Sequence, residues 1–169
     1  MHLTQYSGFG LRVLIYVGLQ GDRLSTIAEI ARAYGISKNH LMKVVQQLSA
    51  EGYVQSRRGK SGGIRLGSSP REIVVGDVVR RLEPNLGVAA CMRDEHLCHL
   101  KPVCRLRLKL EEASNAFLSV LDEVTLADVL HDANHHNVLR DLLGLETAGP
   151  VGPPDVLPGF RPCEVRSEG

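Results

Sequence analysis

Cys91, Cys98 and Cys104 lie within 14 positions of one another, with six and five residues between them. Soft thiolates at such intervals on a bendable segment can wrap an iron-sulfur cluster, because each iron needs one outward ligand and a loop can curve around the inorganic core. Two other chemistries use the same donors. Zinc sites favour cysteines about two to four residues apart, and no such pair occurs, although His96 or His99 could complete a Cys3His set. Two of the thiols could instead close reversibly into a disulfide on oxidation. Spacing alone leaves cluster, zinc and thiol switch open. The fourth cysteine, Cys163, stands apart and reads as a free surface thiol.

The elements around this trio carry their own signals. Thr4 to Leu19 is free of proline and carries Leu11, Leu14, Ile15, Val17 and Leu19 at near-helical spacing, which predicts an amphipathic first helix. Ser25-Thr26-Ile27-Ala28-Glu29 reads as a helix start with Ser25 as its cap, running to about Ala33. Gly35 can take a positive φ in the turn that follows, and Ser37 is placed to cap a third helix from about Lys38 to Glu51. Two short helices joined by a glycine turn form a helix-turn-helix pattern. On the third helix Leu41, Val44, Val45 and Leu48 face a core, while Lys38, Asn39, His40, Lys43, Gln46 and Gln47 form a polar side suited to base edges and phosphates.

Gly52 to Ser56 then reads as a strand, Arg57 to Gly63 as a tight basic loop, and Ile64 to Leu66 as the returning strand. Arg57, Arg58, Gly59 and Lys60 give this tip both charge and close backbone approach, the properties of a wing that touches a phosphate backbone or minor groove. A nucleotide-binding loop would need a different glycine-lysine pattern leading into a helix, and here the loop leads into a strand.

Beyond Pro70, Ile73 to Leu82 begins extended and becomes a short helix stopped by Pro84, and 85–104 reads as a loop. A long helix is expected from about Pro102 to Leu121, with Leu106, Leu108, Leu110, Ala113, Phe117, Leu118 and Leu121 as its apolar stripe. Pairing with a second copy would cover so long a stripe. Thr125 is placed to cap a short helix to Leu130, and Val138 to Leu145 suggests one more.

The expected class is therefore mainly α with a small β-wing: a winged helix-turn-helix over 1–83, a cysteine loop over 84–104, a dimerisation helix and C-terminal helices over 105–146, and a Gly/Pro-rich disordered tail over 147–169. Charge follows the same division. Residues 1–83 carry 12 Lys/Arg against 6 Asp/Glu, and 84–169 carry 8 against 13, so a basic half is joined to an acidic one. The sequence has no export signal, membrane span, nucleophile–base pair or dinucleotide fingerprint, which points to a cytoplasmic protein that is not an enzyme.

Specific strings carry a family resemblance. His2-Leu3-Thr4-Gln5-Tyr6, Gly35-Ile36-Ser37-Lys38-Asn39-His40-Leu41, Arg58-Gly59-Lys60-Ser61-Gly62-Gly63, Gly76-Asp77-Val78-Val79-Arg80-Arg81-Leu82-Glu83-Pro84 and Cys98-His99-Leu100-Lys101-Pro102-Val103-Cys104 are similar to the IscR/NsrR family of bacterial winged-helix regulators, over about residues 1–130. The resemblance implies a homodimer with one iron-sulfur cluster per protomer, 4Fe-4S in preference to 2Fe-2S, held by Cys91, Cys98 and Cys104 as metal ligands. It also implies that the cluster-bound form represses by binding double-stranded operator DNA, and that nitric oxide releases the DNA by nitrosylating the cluster. One branch of the family uses a histidine three residues after the third cysteine. Arg107 stands there in this chain, which favours the nitric-oxide-responsive branch. In the family an aspartate of the first helix, from the partner protomer, can be the fourth ligand. Gly8 occupies that place here, so the fourth position is expected to be open, held by an exogenous ligand, or filled by Asp94, Glu95, His96 or His99. The remaining alternative is a zinc- or thiol-based redox-responsive winged-helix regulator.

Overall fold

In the computed structural model, helix α1 spans Gln5–Leu19, and its N-cap Thr4 uses its side chain to accept from the amide of Ser7. Residues 3–59, 62–93, 98, 100, 103–130 and 133–145 are described. The expectations for Lys60, Asp94, Glu95, His96, His99, Cys163 and the 147–169 tail fall outside them.

Helix α2 spans Ile27–Tyr34, and its cap is Thr26, one residue later than Ser25. Glu29 at the third helical position accepts from the Thr26 amide at 2.6 Å while the Thr26 hydroxyl accepts from the Glu29 amide, which closes a capping box. Ser25 is diverted into the sheet: its backbone exchanges hydrogen bonds of 2.9 and 2.8 Å with Ile64. Gly35 ends α2 with φ +63, as its left-handed C-cap position requires. Helix α3 follows over Lys38–Ala50, with Ser37 at its N-cap making no side-chain cap bond.

Strands β1 (Val54–Arg57) and β2 (Gly63–Leu66) form an antiparallel hairpin in which Val54 pairs with Leu66 and Arg57 with Gly63. β1 starts later than the sequence suggests, because Gly52 has φ +82 and belongs to the turn leaving α3. The core gathers Val13, Leu14 and Val17 of α1, Ile30 of α2, Leu41, Val44 and Leu48 of α3, Val54 of β1, Ile73, and Val78 of the next helix, all essentially sealed from solvent.

Helix α4 (Val75–Leu82) stops where expected: Glu83, just before Pro84, is extended at ψ 123, as a residue preceding proline prefers. The stretch read as a plain loop contains a four-residue helix, α5 (Ala90–Arg93), which carries Cys91. Helix α6 spans Arg105–Asp122, starting after Cys104, whose ψ of 101 keeps it outside the helix. Phe117, Leu118 and Leu121 of α6 pack on Val75 and Val79 of α4, and Arg80 forks onto Asp122 with Nη2 to Oδ2 at 2.6 Å. The earlier part of the stripe is left uncovered by the described residues, with Leu106 and Leu108 about two-thirds exposed. Thr125 caps α7 (Leu126–Val129) through a second capping box with Asp128. Residues 1–131 form one compact unit and 132–169 another, the latter containing helix α8 (Ala133–Leu142), which begins earlier than expected. None of the described helices is long and apolar enough to cross a membrane.

Candidate DNA-reading surface and cysteine segment

Four buried residues fix the orientation of α3: Leu41, Val44, Val45 and Leu48 hold one side in the core. The opposite side leaves Lys38, Asn39, His40, Met42, Lys43 and Gln46 exposed. Helix α1 braces this surface from behind. The Tyr6 hydroxyl donates to the carbonyl of Lys43 at 3.1 Å, and partial burial raises the phenol's pKa. Phe9 stacks on the His40 ring with centroids 6.3 Å apart. The ring is thereby held against α1.

Gln47 behaves differently from the rest of the polar set. Its amide nitrogen donates to the carbonyl of Arg81 at 2.6 Å, so the structure uses it to join α3 to the end of α4. Arg81 adds a 3.0 Å ion pair with Glu51, just beyond α3. Glu83 then reaches back to α1, accepting from the Thr4 amide at 2.6 Å and the Thr4 hydroxyl at 3.1 Å. A cavity of about 360 Å³ lies among these groups, lined in part by Tyr6, Gln47, Arg81 and Glu83.

The wing presents Arg57, Arg58 and Gly59 to solvent. Gly59 has φ +117, and a Cβ on Gly62 would collide with the carbonyl of Arg57, so this tight tip depends on glycine at both positions. At the hairpin's base Arg65 donates to its cross-strand partner Gln55 at 3.3 Å. Among the described residues no carboxylate pairs with Lys38, Lys43, Arg57 or Arg58. Their charge is available to an anionic partner. Sequence reasoning passed over Met42, Tyr6, Phe9 and Arg65. For Met42 the signal existed, since it lies one turn from both Lys38 and Gln46.

Cys91, Cys98 and Cys104 are free thiols, each half-buried. Cys91 sits on α5 and Cys104 at the N-cap position of α6, where its side chain makes no capping bond. The approach to them is pinned, because the buried Ser114 hydroxyl of α6 donates to the carbonyl of Leu86 at 3.1 Å. Arg107, at the position where one branch of the family has a histidine, lies 2.9 Å from Glu111 through Nε, outside the hydrogen-bonding direction. Gly8 has open space where a Cβ would project. Within the described residues no His/Cys/Asp/Glu group is already drawn together around a metal-sized centre. Three soft thiols are donors of the kind an iron-sulfur cluster takes, and the Cys104 side chain is not spent on capping α6.

Residues 3–132 match the Rrf2 family, described as an iron-dependent transcriptional regulator. The chain is 46% identical over 147 residues to the HTH-type transcriptional regulator NsrR of Geobacillus kaustophilus, covering 85% of this chain and 100% of that protein. Among solved structures it resembles CymR, the global cysteine regulator of B. subtilis, with a TM-score of 0.58 and 28% identity over 76% of this chain and 95% of that one. It also resembles IscR of T. potens, with a TM-score of 0.59 and 26% identity over 77% of this chain and 86% of that one.

Proposed function

Because the chain belongs to the Rrf2 family of transcriptional regulators, we propose that it is an iron-sulfur-dependent repressor that releases operator DNA in response to nitric oxide. The observation that carries this reading is the set of three free, half-buried cysteines between α4 and α6, in a chain that matches an NsrR along that protein's whole length. Cys91, Cys98 and Cys104 would hold the cluster, preferably 4Fe-4S. Its iron supplies a binding site for nitric oxide.

The protein's own residues supply the response. The cysteine segment joins α4 through Glu83 and Pro84, and the residues at that junction are bonded to both α3 and α1. A change in how the three thiols are held therefore pulls on the support of the recognition helix. α3 enters the major groove with Lys38, Asn39, His40, Lys43 and Gln46, and Arg57, Arg58, Gly59 and Lys60 of the wing meet the backbone. A second copy covers the exposed Leu106 and Leu108 of α6, making a homodimer with two recognition helices.

Gly8 offers no side chain to iron, so the fourth position is open, held by an exogenous ligand, or filled by Asp94, Glu95, His96 or His99. Mössbauer spectra of the loaded protein should change with added small thiol. Four unchanging protein ligands at every pH and thiol concentration would sink that part.

The likeness to CymR keeps a thiol-based regulator in view. Anaerobic purification separates the readings. A brown protein, bleached by nitric oxide with loss of operator binding, supports the cluster. A colourless protein that binds zinc or nothing, and holds DNA fully, rejects it.

A further inference from the structure

Met42 is 52% exposed, and among the described residues of 3–93 it is the large apolar side chain left open to solvent. An isolated exposed methionine on an arbitrary surface needs no explanation. This one is on α3, one turn from Lys38, Asn39 and Gln46, on the surface where Lys38 and Lys43 have no carboxylate partner among the described residues.

Helical side chains lean toward the N-terminus of their helix, so Met42 covers the turn that holds Lys38 and Asn39. That is the end of a recognition helix that reaches base edges. Among the features that base pairs display in the major groove, the C5-methyl of thymine is the apolar one. A flexible, polarisable thioether suits contact with a methyl group whose exact position depends on local groove geometry. Gln47, the polar side chain on the other flank, is occupied by the Arg81 carbonyl.

We propose that Met42 reads thymine in the operator by packing its side chain on the C5-methyl in the major groove. The proposal rests on the DNA-reading assignment of α3 and adds the base and the atom that are recognised. Each half-site then contains a thymine that cytosine cannot replace without losing that contact.

The test uses full-length protein purified anaerobically to enrich duplexes from a randomised pool. The enriched duplex is then remade with each thymine replaced in turn by deoxyuridine, which removes only the methyl group. The parent should lose about four-fold in affinity at one thymine per half-site, equivalent to ~0.8 kcal/mol for one buried methyl group. Met42→Ala should bind the original duplex more weakly by a similar factor, with an unchanged salt slope, and should be insensitive at that thymine. Met42→Leu should retain the sensitivity. The proposal is overturned if the parent is indifferent to every uridine, or if Met42→Ala responds to each uridine as the parent does. A parent that enriches no duplex overturns the DNA-reading assignment itself, and this proposal with it.

Discussion

Gly8 and Gly10 are two residues apart in the same helix, yet alanine at the two positions should change stability in opposite directions. An interior helical glycine costs about 0.5–1 kcal/mol relative to alanine, through backbone entropy lost on folding. At Gly8 an added Cβ meets nothing within 4 Å. Gly8→Ala should therefore stabilise the protein by about that amount. At Gly10 the same Cβ overlaps Cδ1 of Leu82 and lies 3.7 Å from Cγ1 of Val44. Leu82 is 4% exposed and ends α4, so its side chain must be reseated in a filled core. Overpacking of this kind costs about 1–3 kcal/mol. After the helical gain is deducted, Gly10→Ala should destabilise by about 1 kcal/mol, placing the two variants roughly 1.5–2 kcal/mol apart. Urea melts of parent and both variants from identical reducing preparations should show midpoints on opposite sides of the parent with equal slopes. Gly10→Ala proving as stabilising as Gly8→Ala would refute the close contact of α1 with α4 on which the site's geometry depends.

Arg58→Ala should weaken binding to most duplexes and reduce the salt dependence by about one counterion, measured as the slope of log affinity against log salt; a change confined to particular sequences would instead make Arg58 a base reader. Cys98→Ala should yield a folded protein whose DNA binding no longer responds to nitric oxide, and a parental response would remove the cysteine segment as the sensor. Burial, partly opposed by Arg12, pushes the Tyr34 phenol up to about 12. A folded-state value above the unfolded one means that its contribution is intact below about pH 10 and is lost as pH rises toward 12. The melting temperature of the parent should thus fall more steeply over that window than that of Tyr34→Phe, and parallel curves would acquit Tyr34.

Much of the winged unit was legible because its signals are local. The 3.6-residue period of α1 and α3, the left-handed Gly35 and the glycine-rich tip each constrain a few neighbouring residues. Ser25 shows where local reading ends. A serine before a helix looks like a cap, but pairing with Ile64, nearly forty residues away, claims its backbone and leaves the cap to Thr26. The capping-box spacing from Thr26 to Glu29 was the available sign. Gln47 was placed on the reading surface by periodicity alone, and only the packing of α4 reveals its partner. Met42 is absent from the polar set picked out in the sequence, although its helical position puts it on the same exposed side of α3. For α6 the stripe was legible, but which half the chain covers depends on where α4 docks.

The bonded path from α3 and α1 to the start of the cysteine segment arises from the ordinary needs of helix ends. α4 cannot continue past Glu83 because of Pro84, so the Arg81 carbonyl is among those left without an intrahelical donor. The amide of Gln47 on α3 fills that need. At the start of α1 the Thr4 amide is likewise without an intrahelical partner, and the Glu83 carboxylate receives it. Two helix ends are thus completed by residues of other elements, and both bonds meet at positions 81–83, where the chain leaves for Cys91. Each is a partly or fully exposed bond worth about 0.5–1.5 kcal/mol net, since water can replace it in part. Together they amount to ~1–3 kcal/mol, the usual scale of coupling between two sites. A displacement of the cysteine segment that breaks both bonds would therefore weaken the support of α3 by an amount equivalent, if all of it is felt in DNA binding, to about 5- to 150-fold in affinity, while leaving the core of α1, α3 and α4 folded.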